Sequence, residues 1–172
     1  MPLDFDPIAE AHRQWLMRWP EHADQMAAVT SVMRVQQLLL GEIDRTLKPF
    51  GLTFASFEAL RLLAFTREGE LPMGKIGERL MVHPASVTNT VDKLERAGMV
   101  RRRSAPEDRR RVLAAITPDG RDLVEKATAA LNAADFALPG VDRDTAVALT
   151  ALLRRIRERG NDFDANAHDP WA

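Results

Sequence analysis

The chain has 172 residues, enough for one domain or a domain with helical extensions, and its 45% apolar content is ordinary for a folded protein. Its formal net charge is only −1, yet residues 71–115 hold ten Lys or Arg against five Asp or Glu, leaving −6 on the remainder. There is no cysteine, which excludes disulfides, zinc–thiolate sites and cysteine redox switches, and His12, His22, His83 and His168 are scattered without ligand spacing, so no metal is expected.

The first residues are acidic (Asp4, Asp6, Glu10) and lack an apolar core segment, so no signal peptide is expected. No apolar run reaches the length of a membrane span, and the expected location is cytoplasmic, with no membrane partner.

Helical periodicity runs through most of the chain. Residues 8–18 form a short helix with Ile8, Trp15, Leu16 and Met17 as its apolar side, stopped near Trp19-Pro20 because proline disfavours helix in the residue before it. A long helix is predicted over 21–48, with Val29, Val32, Met33, Leu39, Leu40, Ile43 and Leu47 as its stripe. That stripe is longer than one small domain needs and is a candidate partner surface. Thr53 then caps a helix reaching about Thr66, burying Phe54, Phe57, Leu60 and Leu63. Glu68-Gly69-Glu70 reads as a loop, and residues 73–81 as a short helix with Ile76 and Leu80 on one face.

The helix from Pro84 to Ala97 begins with proline in its first turn. Val87, Val91 and Leu94 share one face and anchor it to a core; Ala85, Asn89 and Arg96 point away, with Ser86 and Lys93 on one flank and Thr88 on the other. Small polar side chains followed by cations suit a major groove, although an amphipathic helix with a solvated outer face would show the same spacing. Residues 98–117 read as two strand-like arms carrying Arg101–Arg103 and Arg109–Arg111 about a Ser-Ala-Pro-Glu-Asp turn. A helix followed by a basic hairpin is the order of a winged helix-turn-helix. Thr117-Pro118 opens a helix to about Phe136, Leu138-Pro139-Gly140 turns the chain, and Asp142 or Asp144 caps a last helix to about Arg159. The tail from Gly160 is polar.

The run Leu80 to Arg102, LMVHPASVTNTVDKLERAGMVRR, resembles the recognition helix and first wing strand of the MarR family of bacterial transcriptional regulators. Glu107-Asp108-Arg109-Arg110 and Ile116-Thr117-Pro118-Asp119-Gly120 are similar to that family's wing signature and the entry into its next helix. The resemblance implies a mostly α fold with a small β-hairpin wing. Its divisions would be an N-terminal extension over 1–20, a dimerisation region from 21–52 and 117–159, a winged helix-turn-helix lobe over 53–116 and a flexible tail over 160–172. It further implies a homodimer that places residues 84–97 of each subunit in a major groove of double-stranded DNA, with Ser86, Thr88 and Asn89 nearest the bases and Lys93 beside them. Arg110 would enter the minor groove, with Arg109 beside it and Asp108 orienting the wing arginines. Arg101 to Arg103 would mostly serve the strand and face phosphate.

The expected function is a repressor on a pseudo-palindromic operator, released by a small anionic or aromatic ligand. His12, Arg13, Trp15, Arg18 and Trp19 resemble the extra N-terminal helix of the urate-responsive branch, making Trp15 and Arg18 candidate ligand contacts. Phe57-Glu58 departs from that branch, which has Asp after the Phe, and a structural role for Trp15 and Trp19 as a staple stays open. No Gly-rich phosphate loop, metal-ligand cluster or nucleophile–base pair is apparent, so neither an enzyme nor a cofactor is expected. An architectural DNA binder and a helical interaction module are the alternatives.

Overall fold

The computed structural model describes residues 2–104 and 111–164. The chain divides into two units, Met1–Ala137 and Leu138–Ala172.

In the first unit Asp6 caps α1 (Pro7–Leu16), its carboxylate accepting from the amides of Ile8 and Ala9. A 3-10 turn at Pro20–His22 leads into α2 (Ala23–Leu47), and the His12 ring meets the Asp24 carboxylate at 2.8 Å to tie the two helices. Gly51, at φ 68°, ends a second 3-10 turn. The expected Thr53 cap is present: its hydroxyl accepts from Ser56 N at the start of α3 (Phe54–Phe65). After α4 (Met73–Leu80) the chain turns at Met81, φ 53°, and His83 caps α5 (Pro84–Arg96) through Nδ1, which accepts from Ala85 N at 3.2 Å. Strands β2 (Val100–Ser104) and β3 (Val112–Ile116) form the hairpin, and Thr117 caps α6 (Pro118–Ala133).

The sheet has a third strand that periodicity does not reveal. Glu70–Pro72 form β1, antiparallel to β3, in the order β1-β3-β2. Glu70, read from sequence as loop, pairs with Ala115. The sequence reading of α6 also ran too far: the helix stops at Ala133, and Asp135, Phe136 and Ala137 all take positive φ.

One core holds this unit. Leu47 of α2, Phe57, Leu60 and Leu63 of α3, Ile76 of α4, Val87, Val91 and Leu94 of α5, Val100 of β2 and Val124 and Leu131 of α6 are all buried. Phe54, expected in the core, is half-buried against it. The middle of α2 is different: Val29, Val32, Met33, Val35 and Leu38 are all exposed.

The second unit is α7 (Arg143–Arg159), capped by Asp142, whose carboxylate accepts from Thr145 N at 2.7 Å and is thereby held below its usual pKa. Arg157 pairs with Asp162, and Arg154 and Arg157 lie over the Phe163 ring. Among the described residues no helix is long and apolar enough to cross a membrane, and no group of His, Cys, Asp or Glu could hold a metal ion.

Candidate nucleic-acid interface

Helix α5 carries three side-chain stripes roughly 120° apart at 100° per residue. Val87, Val91 and Leu94 are at most 3% exposed and fix the helix to the core. Ser86, Asn89 and Lys93 are exposed on the outer face. Thr88, Asp92 and Glu95 face the hairpin, where Arg102 meets all three residues. Four sequence-identified contacts therefore fall on two stripes: Ser86, Asn89 and Lys93 outward, Thr88 toward the wing base. The Thr88 hydroxyl donates to Pro84 O at 3.1 Å, leaving its oxygen lone pairs free to accept.

The turn from α4 to α5 is tight. A Cβ on Gly77 would meet Val82 O at 3.2 Å and Val87 Cγ2 at 3.3 Å, so a small residue lets the two helices of the helix-turn-helix approach. Between the wing base and α4–α5 runs an open groove of about 680 Å³, lined by Lys75, Glu78, Thr88, Asp92, Arg102 and Arg111 among others. Both signs of charge are present in it.

The arginine triplets do not all behave as their composition suggests. Arg103 Nε donates to Glu70 Oε2 at 2.7 Å and a second pairing joins Nη2 to Oε1; this hydrogen bonding and attraction raise the Arg103 pKa. Glu70 pairs in register with Ala115, and Arg103 with Leu113, so the ion pair reaches diagonally across β3. Arg102 is engaged with α5. All three arginines of the first triplet lie on β2, as expected, and of them only Arg101 makes no ion pair with a described residue. The acidic partners lie 33 residues upstream and 7 to 10 residues away on a helix, so charge counting along the chain does not pair them. Arg111 is exposed, and Asp108, Arg109 and Arg110 lie outside the described residues.

Two further places hold candidate residues. Trp15 and Trp19 pack at 4.9 Å between centroids and line an open cleft of about 560 Å³ with His22, Gln25, Met26 and Val29. Arg18 does not join them: its guanidinium is tied back to Gln14 O and Oε1 at 3.2 and 2.9 Å. Beside α5, a small, partly open cavity of about 40 Å³ lies among α3, α4 and α5, bordered by Glu58, Ser86 and Thr90. Burial pushes the Glu58 carboxyl above its ordinary pKa. A residue that sequence reasoning missed, Arg61, ties α3 to α6: it donates to Glu125 Oε1 at 2.7 Å, to Val124 O at 2.9 Å and to the Thr128 hydroxyl. The Arg61 hydrogen bond and charge hold the Glu125 pKa down.

Three helices, the last with a solvated polar face, followed by a hairpin define a winged helix-turn-helix protein. The MarR family model matches residues 52–112. The chain is similar to a MarR family transcriptional regulator of known structure from Streptomyces coelicolor, with 55% identity, 82% of this chain and 98% of that one covered, and a TM-score of 0.77. It is 31% identical over 129 residues to an HTH-type transcriptional repressor of Mycobacterium tuberculosis, covering 75% of this chain and 90% of that protein. It also resembles CouR from Rhodococcus jostii RHA1, solved bound to p-coumaroyl-CoA, at 28% identity with 80% and 92% covered and a TM-score of 0.66. The chain belongs to the MarR family: it is a transcriptional regulator, in a family whose members are not enzymes.

Proposed function

We propose that the protein is a homodimeric repressor that binds a pseudo-palindromic operator through α5 and the hairpin and leaves it when a small ligand binds. The observation that carries this reading is the partition of α5: Val87, Val91 and Leu94 are buried, while Ser86, Asn89 and Lys93 are presented together on its solvent face. A helix held this firmly from behind can be read from in front. Residues 53–116 are the DNA-binding lobe, with Ser86, Thr88 and Asn89 reading bases, Lys93 meeting phosphate and Arg110 entering the minor groove beside Arg109, ordered by Asp108.

Dimerisation rests on residues 21–52 and 117–159. The apolar residues Val29, Val32, Met33 and Leu38 of α2, and Val147, Leu152 and Ile156 of α7, are exposed in the single chain. On each helix, exposed large apolar residues of that kind mark a partner surface. A two-fold dimer sets half-sites about one helical turn apart, roughly 10 bp.

For the ligand, the Trp15–Trp19 cleft offers aromatic faces, and the similarity to CouR, which holds p-coumaroyl-CoA, favours an anionic or aromatic compound. Arg18 would have to leave Gln14 to meet its anion. Release requires only that the ligand bind the DNA-incompetent shape better than the competent one. The test is a footprint on the DNA flanking the protein's own gene, repeated with a metabolite panel. A short two-fold symmetric tract lost with one metabolite supports the reading; broad protection indicates an architectural protein, and none an interaction module.

A further inference from the structure

Arg102 is the hub between the wing and the recognition helix. In register it pairs with Ala114, and it lies on the same sheet face as Val100, which is 1% exposed. Its backbone N–H donates to Glu95 Oε1 at 2.8 Å and its Nη1 donates to Glu95 Oε2 at 2.9 Å. The same guanidinium pairs with the Asp92 carboxylate and donates to Thr88 O at 3.3 Å. Residues 88, 92 and 95 span two turns of α5, about 10 Å of its axis. One planar fork thus holds two turns of the recognition helix against β2, with only 26% of its side chain exposed.

We propose that Arg102 is a positioning residue that determines operator specificity without touching DNA. It fixes the angle between α5 and the hairpin, so that base contacts from α5 and the wing's groove contact fall in one register on the duplex. The inference deepens the DNA-binding reading above and rests on it. A guanidinium engaged by two carboxylates and a carbonyl has little left for phosphate. Lysine would keep the charge but lose the fork, so the pair distinguishes geometry from charge.

The experiment uses a duplex selected by the wild-type full-length protein from a random pool. Affinity is measured across a salt series for the wild type, Arg102→Lys and Arg102→Met, with hydrogen exchange of residues 84–104 and 112–116 followed in the free proteins. Arg102→Lys should lose roughly tenfold in affinity, as expected for breaking one network, and bind off-consensus duplexes nearly as well as the selected one. Its salt slope should stay at the wild-type value, and exchange should rise in β2 and the second half of α5. A slope reduced by about one in Arg102→Met and restored in Arg102→Lys would mean a phosphate contact and overturn the proposal. Wild-type affinity, selectivity and exchange in Arg102→Lys would overturn it equally. If Arg102→Met fails to fold, Glu95→Gln replaces it, with the same loss of selectivity expected. A wild type that selects no duplex would sink the DNA-binding reading itself, whereas unchanged exchange in a protein that does bind DNA sinks only the clamp.

Discussion

Replacing Gly120 with alanine sets two local effects against each other. Gly120 lies in the first turn of α6, where helix propensity alone favours alanine by about 1 kcal/mol. The packing opposes it. A Cβ there would lie 2.2 Å from Met99 O, 3.1 Å from the Met99 carbonyl carbon and 3.0 Å from Ile116 Cγ1, and real Cβ atoms essentially never come within 3.0 Å of a neighbour. The obstacle is not the free end of a side chain. Met99 O accepts from Thr117 N at 3.0 Å and from the Thr117 hydroxyl at 3.1 Å, which pins it to the start of α6. Relief therefore means separating the end of the hairpin from α6, at about 1–3 kcal/mol for overpacking and about 1 kcal/mol for each Thr117 bond lost. The clash wins, and Gly120→Ala should be less stable by about 2–4 kcal/mol, a fall in Tm of roughly 4–16 °C for a chain of this size. Urea unfolding midpoints at one fixed protein concentration would read it, since the proposed dimer makes stability concentration-dependent. Gly74→Ala is the control: nothing lies within 4 Å of its Cβ, so it should be neutral or gain up to about 1 kcal/mol. A Gly120→Ala protein as stable as the wild type would refute the argument from close approach.

Arg110→Ala should weaken operator binding strongly in a gel shift while gel filtration shows the dimer intact; wild-type affinity would remove Arg110 from the groove. Asn89→Ala should relax base preference at one position per half-site by about 1–3 kcal/mol, and an unaltered selection profile would count against a base contact. Lys93→Ala should lower the salt slope by about one per subunit, whereas Arg103→Ala, already paired with Glu70, should leave it in place; the reverse order would show that ion pairs within the lobe open on DNA. Burial raises Glu58 above its ordinary 4.5, so the native state holds that proton more tightly than the unfolded chain does. Its contribution is then most favourable below pH 4.5 and is lost as pH rises through the raised value. Glu58→Gln should raise stability at neutral pH and flatten its pH dependence above 4.5, and a less stable Glu58→Gln at pH 7 would show that the carboxylate is favoured where it lies.

What could be read from the sequence divides by the range of the interaction. Thr53, Pro84, Thr117, Pro118 and Asp142 mark helix starts because capping involves atoms two or three residues apart. The buried stripe Val87, Val91, Leu94 follows from the helical period, and the structure has it. By contrast β1 is three residues long, has no alternation to display, and exists through pairing with β3 more than forty residues later. The end of α6 was misplaced because Phe136 continues the apolar pattern while its backbone takes φ 52° and its ring packs on Phe57. Tertiary packing there overrides local preference. Arg18 is expected as a ligand contact beside Trp15 because the N-terminal extension resembles that of the urate-responsive branch; just past the end of α1, the residue four before it, Gln14, holds its guanidinium.

The local excess of positive charge is similarly reshaped by the fold. Lys75 pairs with Glu78, Arg102 with Asp92 and Glu95, and Arg103 with Glu70, so several of the described cations in residues 71–115 meet a carboxylate before any DNA arrives. Ion pairs at this level of exposure add little to stability by themselves. Their consequence is directional: they remove charge from the side of α5 that faces the wing and leave Lys93 on the side that carries Ser86 and Asn89. A duplex drawn by field alone would have no preferred approach. On the proposed reading, with Arg102 offsetting charge on the wing-facing stripe and Lys93 left on the outer face, attraction would favour the orientation in which Ser86 and Asn89 meet the bases, so that the acids among the arginines would serve recognition as well as the arginines do.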